Sequence, residues 1–399
     1  MEDIISQLEA LAASPPTDAA LRQRLHNACK KLFAATEAHQ GTISRVTGSP
    51  ILLTVCHIAC NLDVFQKLSD SKVPLSGTDL ASSCKADHAL LSRILRFLAS
   101  NDLIKETGED AYAANNLTHT LARPGLRAGI AHSFMVTMPC LQHLPDFLKD
   151  TGYKNPSDVF HSAFQLAQKT DQPAYVWAMQ QPELHANFSL WMTEQHLGSS
   201  TWLDVFDVPS HAEKQKGAVG EKADAILFVD VGGGLGQQCE LLKRKHPDVP
   251  GRVVLQDQPH VLPHALKVEG MEPFPHDFWT EQPLKGARIY YMRNVLEDYP
   301  DERAVKIIEN IIPAMLSGSS VLVIDEMIVP NTGASPRSTV QDLTMMATLA
   351  SAERTERQWD ELLERAGLAV LKKLCYNETT GESAIVAVPK QAQLGYAKS

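Results

Sequence analysis

The residues with the clearest chemical purpose lie in 226–236, Ile-Leu-Phe-Val-Asp-Val-Gly-Gly-Gly-Leu-Gly, with Asp257 about twenty residues further on. Five apolar residues around Asp230 predict a buried parallel strand. Gly232, Gly233, Gly234 and Gly236 let the chain turn sharply and let a ligand approach the backbone with no Cβ in the way. The next segment, 237–246, has helical character, so its first amides would face the same ligand. Asp257 follows the apolar run 252–255, at a position where a carboxylate grips both hydroxyls of a ribose. The spacing of Gly232, Gly234 and Gly236 is G-x-G-x-G rather than G-x-G-x-x-G, which favours S-adenosylmethionine over NAD. A glycine turn after a strand also occurs as plain structure, and Asp257 weighs against that simpler account.

These residues need a scaffold, and the chain is long enough to build one. Its 399 residues suggest two domains, and 44% hydrophobic with 21% charged residues describes an ordinary soluble protein. A net charge of −10 argues against nucleic acid or an anionic membrane as partner. The start, Met1-Glu2-Asp3-Ile4-Ile5, lacks the basic and apolar regions of a secretory signal. No run approaches the roughly eighteen apolar residues of a membrane span, so none is expected. The seven cysteines are scattered, with Cys56 and Cys60 on one apolar helical face, as packing requires. Reduced thiols and a cytoplasmic location follow most simply. Zinc spacing, a Walker sequence and a nucleophile elbow are all missing, so no metal is expected.

Residues 1 to about 45 read as amphipathic helices through Leu8, Leu11, Leu21 and Leu25, and Ile51, Leu52, Val55, Ile58, Ala59 and Leu62 continue a stripe. Residues 74–112 read as helix–turn–helix, with Leu91, Ile94, Leu95 and Leu98 at helical spacing, then a small β-wing between Ile104 and Tyr112. Few basic residues lie on the second helix, so dimerisation or substrate lining is favoured over DNA binding. Residues 126–206 are helical and rich in Met, Trp and Phe, with His132, His161 and His185 interleaved. Such residues are more often core than pocket, yet their density keeps a pocket wall open as a reading. Residues 209–225 read as a polar loop. Beyond it, strands at 288–292 and 321–325 alternate with helices at 302–316 and 356–366, and 369–375 with 383–388 forms a closing hairpin. The expected fold is α/β: a Rossmann-like doubly wound sheet with one antiparallel edge strand, behind a mainly helical N-terminal domain. The expected divisions are 1–125, 126–208 and 209–399.

With these motifs in hand, the chain resembles the plant and fungal small-molecule O-methyltransferases over nearly its whole length. Val-Asp-Val-Gly-Gly-Gly-Leu-Gly (229–236) is similar to the family's cofactor turn, and Gln-Asp-Gln-Pro-His-Val-Leu (256–262) to its ribose-binding segment. Pro-His-Asp-Phe-Trp (275–279) resembles the segment flanking the adenine, and 291–302, Tyr-Met-Arg-Asn-Val-Leu-Glu-Asp-Tyr-Pro-Asp-Glu, the segment of the catalytic histidine. The resemblance implies a winged-helix dimerisation domain, a homodimer with interlocked N-terminal helices, and S-adenosylmethionine as cofactor. It implies cofactor contacts from Gly232, Gly233, Gly234, Gly236, Asp257, Gln258, Asp277, Phe278 and Arg293. Glu326 and Glu353 match the two acids that flank the catalytic base. His132, Phe134, Met135, Trp177, Met192, Met345 and Met346 are the expected substrate lining.

The chain departs from the family at position 297, where methylating members have His-Asp and this chain has Glu297-Asp298. A histidine suits removal of a proton at neutral pH, whereas a glutamate of ordinary pKa near 4.3 is a weak base toward a phenol near 10. Burial and repulsion from Asp298, Glu326 and Glu353 would raise it, and pairing with Arg293 or Arg354 would lower it. A second group with this fold, the fungal pericyclases of polyketide and pyridone pathways, transfers no methyl group. There the bound sulfonium acts electrostatically while other side chains orient a polyene. Some of those carry arginine at the lost-histidine position, so Glu297 matches neither pattern cleanly. The favoured expectation is a non-methylating pericyclase of a natural-product pathway, in which Glu297, Asp298, Arg293 and His132, with Glu326 and Glu353, polarise and position the substrate. The alternatives are a methyltransferase with Glu297 as base or an already ionised substrate, and an inactive cofactor-binding protein. His132 has the simpler reading of a core histidine, and Glu297 that of a drifted residue.

Overall fold

The structure is a computed structural model and describes residues 2–194, 200–213 and 225–392. The chain forms two compact units, Met1–Ala122 and Arg123–Ser399.

The first unit begins with three helices, α1 (Glu2–Ala13), α2 (Ala19–Thr36) and α3 (His39–Asn61). Helix α1 buries nothing, and Leu11 and Leu21 are exposed, so the expected apolar stripes find no cover within the unit. Helix α3 buries Cys56, Ala59 and Cys60 while Ile51 and Ile58 stay exposed. At 23 residues it is long and apolar enough to cross a membrane by length and composition, contrary to the expectation that no segment would be. After α4 (Val64–Asp70), the side chain of Ser76 caps α5 (Gly77–Cys84) and Asp87 caps α6 (His88–Ser100). Helix α6 buries Leu91, Ile94, Leu95 and Leu98, the spacing that defines one helical face. Strands β1 (Leu75–Ser76), β2 (Lys105–Gly108) and β3 (Ala111–Ala113) form a small antiparallel sheet in the order β1-β3-β2, and α7 (Asn116–Ala122) closes the unit.

The second unit opens with a helical layer: α8 (Pro124–His132), one π-helical turn (Ser133–Thr137), α9 (Met138–Asp150), α10 (Ala163–Gln168), α11 (Ala174–Met179) and α12 (Pro182–Glu194). Gly125 and Gly129 let α8 approach α12 closely. A Cβ on Gly129 would lie 2.8 Å from the Trp191 ring, and one on Gly125 2.3 Å from Glu194 Cβ. Val208–Glu213 forms α13 where a loop was expected, and the rest of that loop, 214–224, lies outside the described residues.

The sheet has seven strands in the order β6-β5-β4-β7-β8-β10-β9. These are β4 (Ile226–Val231), β5 (Arg252–Asp257), β6 (Met271–Pro275), β7 (Ile289–Arg293), β8 (Val321–Met327), β9 (Leu368–Asn377) and β10 (Glu382–Pro389). Strands β4 to β8 pair in parallel, as their apolar sequences demand when both faces are covered. The reversed strand, β10, pairs with β8 and β9 and so lies inside the sheet rather than at its edge. One face packs on α15 (Asp301–Ile311) and α17 (Glu356–Arg365) through Ile307, Ile308, Trp359 and Leu362. The other packs on Trp202, Phe206 and α14 (Gln237–Lys245). Successive residues of β8 point to opposite faces, Val321 and Val323 to the Trp202 side, Leu322 and Ile324 to the α15 side. That alternation sends Asp325 and Glu326 into different environments.

Candidate functional site

The glycine turn caps β4. The amides of Gly232 and Gly233 donate to the Gln256 carbonyl at 2.9 and 3.1 Å, tying the turn to β5. Gly232, Gly234 and Gly236 have φ of +72°, +59° and +86°, which side chains rarely tolerate. A Cβ on Gly233 would strike the Asp230 carboxyl at 2.4 Å, whereas one on Gly234 would meet nothing within 4 Å. The space beside Gly234 is therefore open, and any side chain there would occupy it. Asp257 ends β5 and accepts from the Gly234 amide at 2.8 Å and from the Gln258 amide at 2.7 Å. Burial raises its pKa, partly offset by those two amides. Phe278 stands 3.5 Å from where a Cβ on Gly232 would sit, and its ring meets Trp279 and Tyr299. Asp277 accepts from the Trp279 amide at 3.1 Å.

Beneath the turn, Asp230 is fully buried and accepts a hydrogen bond from Cys239. Burial pushes its pKa up to about 7.

The second part of the site is the short helical turn Leu296–Asp298 after β7. Glu297, Glu326 and Glu353 are all buried, at 8%, 1% and 4% exposure. Glu326 comes from β8, and its Oε1 accepts from the amides of Val295 and Leu296 at 3.1 and 2.9 Å. The Glu326 and Glu353 carboxyls each lie within hydrogen-bonding reach of the Glu297 carboxyl. Burial raises the pKa of Glu353 to about 11, with Glu297 and Glu326 adding repulsion. Glu326 is raised well above its usual range, by burial first and then by Glu297. Burial beside other carboxyls favours the protonated forms of Glu326 and Glu353, the direction in which both are shifted.

Residues 351–354 clamp this turn from below. Ser351 Oγ donates to the Glu297 carbonyl, and the Arg354 guanidinium donates to the carbonyls of Leu296 and Tyr299, each at 2.8 Å, and to Asp301 at 2.9 Å. Arg354 thus binds the backbone and Asp301.

Arg293 also stands apart from the expected grouping with Glu297. It shares register with Asp325 and lies 3.8 Å from that carboxylate and 3.7 Å from Glu382. Asp325 further accepts from Tyr291, and from Tyr376 at 2.6 Å. This is a separate network on the Trp202 face.

His132 ends α8, and its ring sits 5.3 Å from Phe188 and 5.5 Å from Trp191. Burial lowers its pKa to about 4, so it is neutral, and its Nδ1 has no partner among the described residues. Trp177 packs with Phe164 in a small core with Val136, Cys140, Leu184 and Ala347, whereas Met135 is exposed. Phe134, Met192, Met345 and Met346 are half-buried. Met345 and Met346 lie on α16 (Pro336–Leu349), which packs against both the π turn and the 296–298 turn. Sequence reasoning missed Tyr175, whose hydroxyl donates to Asp298 at 2.7 Å across 123 positions of chain. Only its place among neighbouring aromatics hinted at a role.

Residues 223–369 match the O-methyltransferase domain and residues 48–124 the O-methyltransferase dimerisation domain. The chain is 38% identical to O-methyltransferase lepI of Aspergillus flavus, over 90% of this chain and 92% of that protein. It is 37% identical to 16-O-methyltransferase bsc6 of Alternaria brassicicola, over 90% and 89%. The structure of LepI with SAM matches at a TM-score of 0.88 and 37% identity, over 97% of this chain and 98% of that one. A structure described as a pericyclic reaction enzyme matches to the same extent.

Proposed function

This chain belongs to the O-methyltransferase family, and from that premise we propose that it is a non-methylating enzyme that dehydrates and cyclises a polyketide- or pyridone-type intermediate of natural-product biosynthesis. Its cofactor is S-adenosylmethionine. The open space at Gly234, the carboxylate of Asp257 and the Phe278 ring over the turn fit such a group. Gly232, Gly233, Gly234 and Gly236 with Asp257, Gln258, Asp277 and Phe278 would hold it. When bound, it supplies a fixed sulfonium charge and, in members that transfer it, an activated methyl group.

The observation that carries the reading is the carboxyl cluster at Glu297, Glu326 and Glu353. Protonated carboxyls in a dry site act as general acids. For an alcohol lost as water, one carboxyl gives its proton to the departing hydroxyl, and the C–O electron pair leaves on that oxygen. The carboxylate so formed takes a proton from the cationic fragment, leaving a neutral polyene and a reprotonated cluster. Ring closure then moves electron pairs within the substrate alone, and a wall that pre-folds the polyene lowers the entropic barrier. The neutral His132 would meet a substrate oxygen through its free ring nitrogen. The likeness to a protein described as a pericyclic reaction enzyme supports this reading.

Methyl transfer is the second reading, favoured by the similarity to bsc6. A cluster that keeps one negative charge at raised pKa is a better base than an ordinary glutamate. The dimerisation-domain match supports a homodimer in either case.

The test is mass spectrometry of reactions with candidate pyridone alcohols and methyl-labelled S-adenosylmethionine. We expect a dehydrated or isomerised product with the cofactor required yet intact. A substrate that gains the label, with matching S-adenosylhomocysteine, overturns the proposal. Gly234→Val should abolish cofactor binding in calorimetry, because the branched side chain fills the open space at a backbone angle that glycine favours. Normal binding by that variant would remove the cofactor from the turn.

A further inference from the structure

Segment 277–284 brings Phe278 to the glycine turn, and it is fastened there by two residues that the sequence motifs leave out, Gln282 and Asn310. Asn310 lies in the last turn of α15, where carbonyls lack partners within the helix. Its carbonyl accepts from the Gln282 amide at 2.9 Å, while its side chain donates through Nδ2 to the Phe278 carbonyl at 3.0 Å. Both ends of 278–282 are thus tied to one residue. Gln282 is fully buried, as is Gln256 on β5, and their side-chain amides exchange hydrogen bonds of 2.9 and 2.7 Å. Gln256 is also the residue whose carbonyl takes the amides of Gly232 and Gly233. The contacts close a ring: glycine turn, Gln256, Gln282, Asn310, Phe278, and back to Gly232, beside which the Phe278 ring stands. Two apolar side chains would fill the space of the glutamines without the cost of burying amides, whereas paired amides admit one register of the loop on β5. The Phe278 ring packs T-shaped on Trp279 and Tyr299, and the Arg303 guanidinium lies 5.1 Å over the Trp279 ring. Those contacts brace the rings, and Asn310 holds the backbone from which Phe278 projects.

We propose that Asn310 and Gln282 are positioning residues for cofactor binding: they hold the Phe278 ring over the glycine turn before the adenosyl group arrives, so that binding does not have to order the segment. The proposal rests on the placement of S-adenosylmethionine at this turn given above, and holds for either reaction class. An aromatic wall fixed in advance contributes its full contact energy, whereas one ordered on binding loses part of it to that ordering. Asn310 touches no cofactor atom in this account and acts through Phe278.

The test is calorimetry of the full chain with S-adenosylhomocysteine, alongside thermal unfolding of the ligand-free protein. Asn310→Leu keeps the size of the side chain and removes its donor, and is expected to weaken binding about tenfold. In the Phe278→Ala background, which itself binds more weakly, the same change should cost nothing further. The pair Gln256→Met with Gln282→Met leaves neither amide unpartnered, so it should fold and still bind more weakly. A purely structural clamp would instead lower the unfolding temperature and leave the dissociation constant alone. An unchanged dissociation constant in Asn310→Leu or in the paired variant, or losses that multiply with Phe278→Ala, would overturn the proposal. Normal binding by Phe278→Ala would remove the placement of the adenosyl group, and the proposal with it, so the two failures are told apart.

Discussion

Strand β8 carries two neighbouring acids into opposite faces of the sheet, and their surroundings differ in one respect that matters. Asp325 meets a guanidinium, Arg293, and the hydroxyls of Tyr291 and Tyr376. Glu326 meets two backbone amides and the acids Glu297 and Glu353. The first arrangement balances a buried negative charge and is built to hold the ends of β7, β8 and β9 together. The second crowds carboxyls and raises the pKa of Glu326 and Glu353, a pattern common at functional sites. The pleat alone thus places adjacent positions of one strand in opposite environments.

Removing the balancing cation should have the largest effect. Arg293→Met leaves Asp325 buried beside Glu382, and urea unfolding should show a loss of about 3 kcal/mol. Unchanged stability would mean that the two tyrosines suffice.

On the other face the expected loss is in rate. Glu297→Gln should slow product formation about a hundredfold, because it removes an acid from the cluster. Full activity would make Glu297 a bystander.

Glu353→Gln tests the sign of the imbalance. In the unfolded chain Glu353 releases its proton near its ordinary value of 4.5, and in the native protein only near about 11. The native state thus keeps a proton the unfolded chain has lost across that window. This contribution is full below the unfolded value and is lost as pH rises toward the native one. Melting temperatures of Glu353→Gln should therefore fall less steeply than wild type between neutral and alkaline pH. Parallel curves would place the proton elsewhere.

The smallest effect belongs to Tyr376→Phe, which removes one of the hydroxyls on Asp325 and should cost about 1 kcal/mol in the same urea assay. A loss larger than that of Arg293→Met would mean that Tyr376 outweighs Arg293 in balancing Asp325.

Where the chemistry is local, the sequence announced it. The strand, glycine turn and Asp257 lie within one βαβ unit, and glycine spacing with an apolar run suffices to read them. Glu326 and Glu353 were identified through resemblance, since nothing in their own surroundings marks them, and the structure brings both to Glu297. Arg293 was placed by resemblance, as a basic residue at the cofactor and, like Arg354, a possible partner of Glu297. The strand end sends its side chain to the other face, toward Asp325, a register effect that spacing alone does not reveal. The place of β10 inside the sheet was equally hidden, because a terminal hairpin has the same pattern whichever strand pairs inward. Tyr175 was out of reach for a different reason: its partner lies 123 positions away, on a turn after another strand.

The central claim is that the cluster on the Glu326 face holds a proton that the Asp325 face does not. Infrared spectra at about pH 9, above the ordinary range of any carboxyl, measure this directly. The wild type should show a protonated-carboxyl band that loses intensity in Glu353→Gln and is unchanged in Asp325→Asn. A wild-type spectrum without that band, or a band lost with Asp325 rather than Glu353, would contradict it.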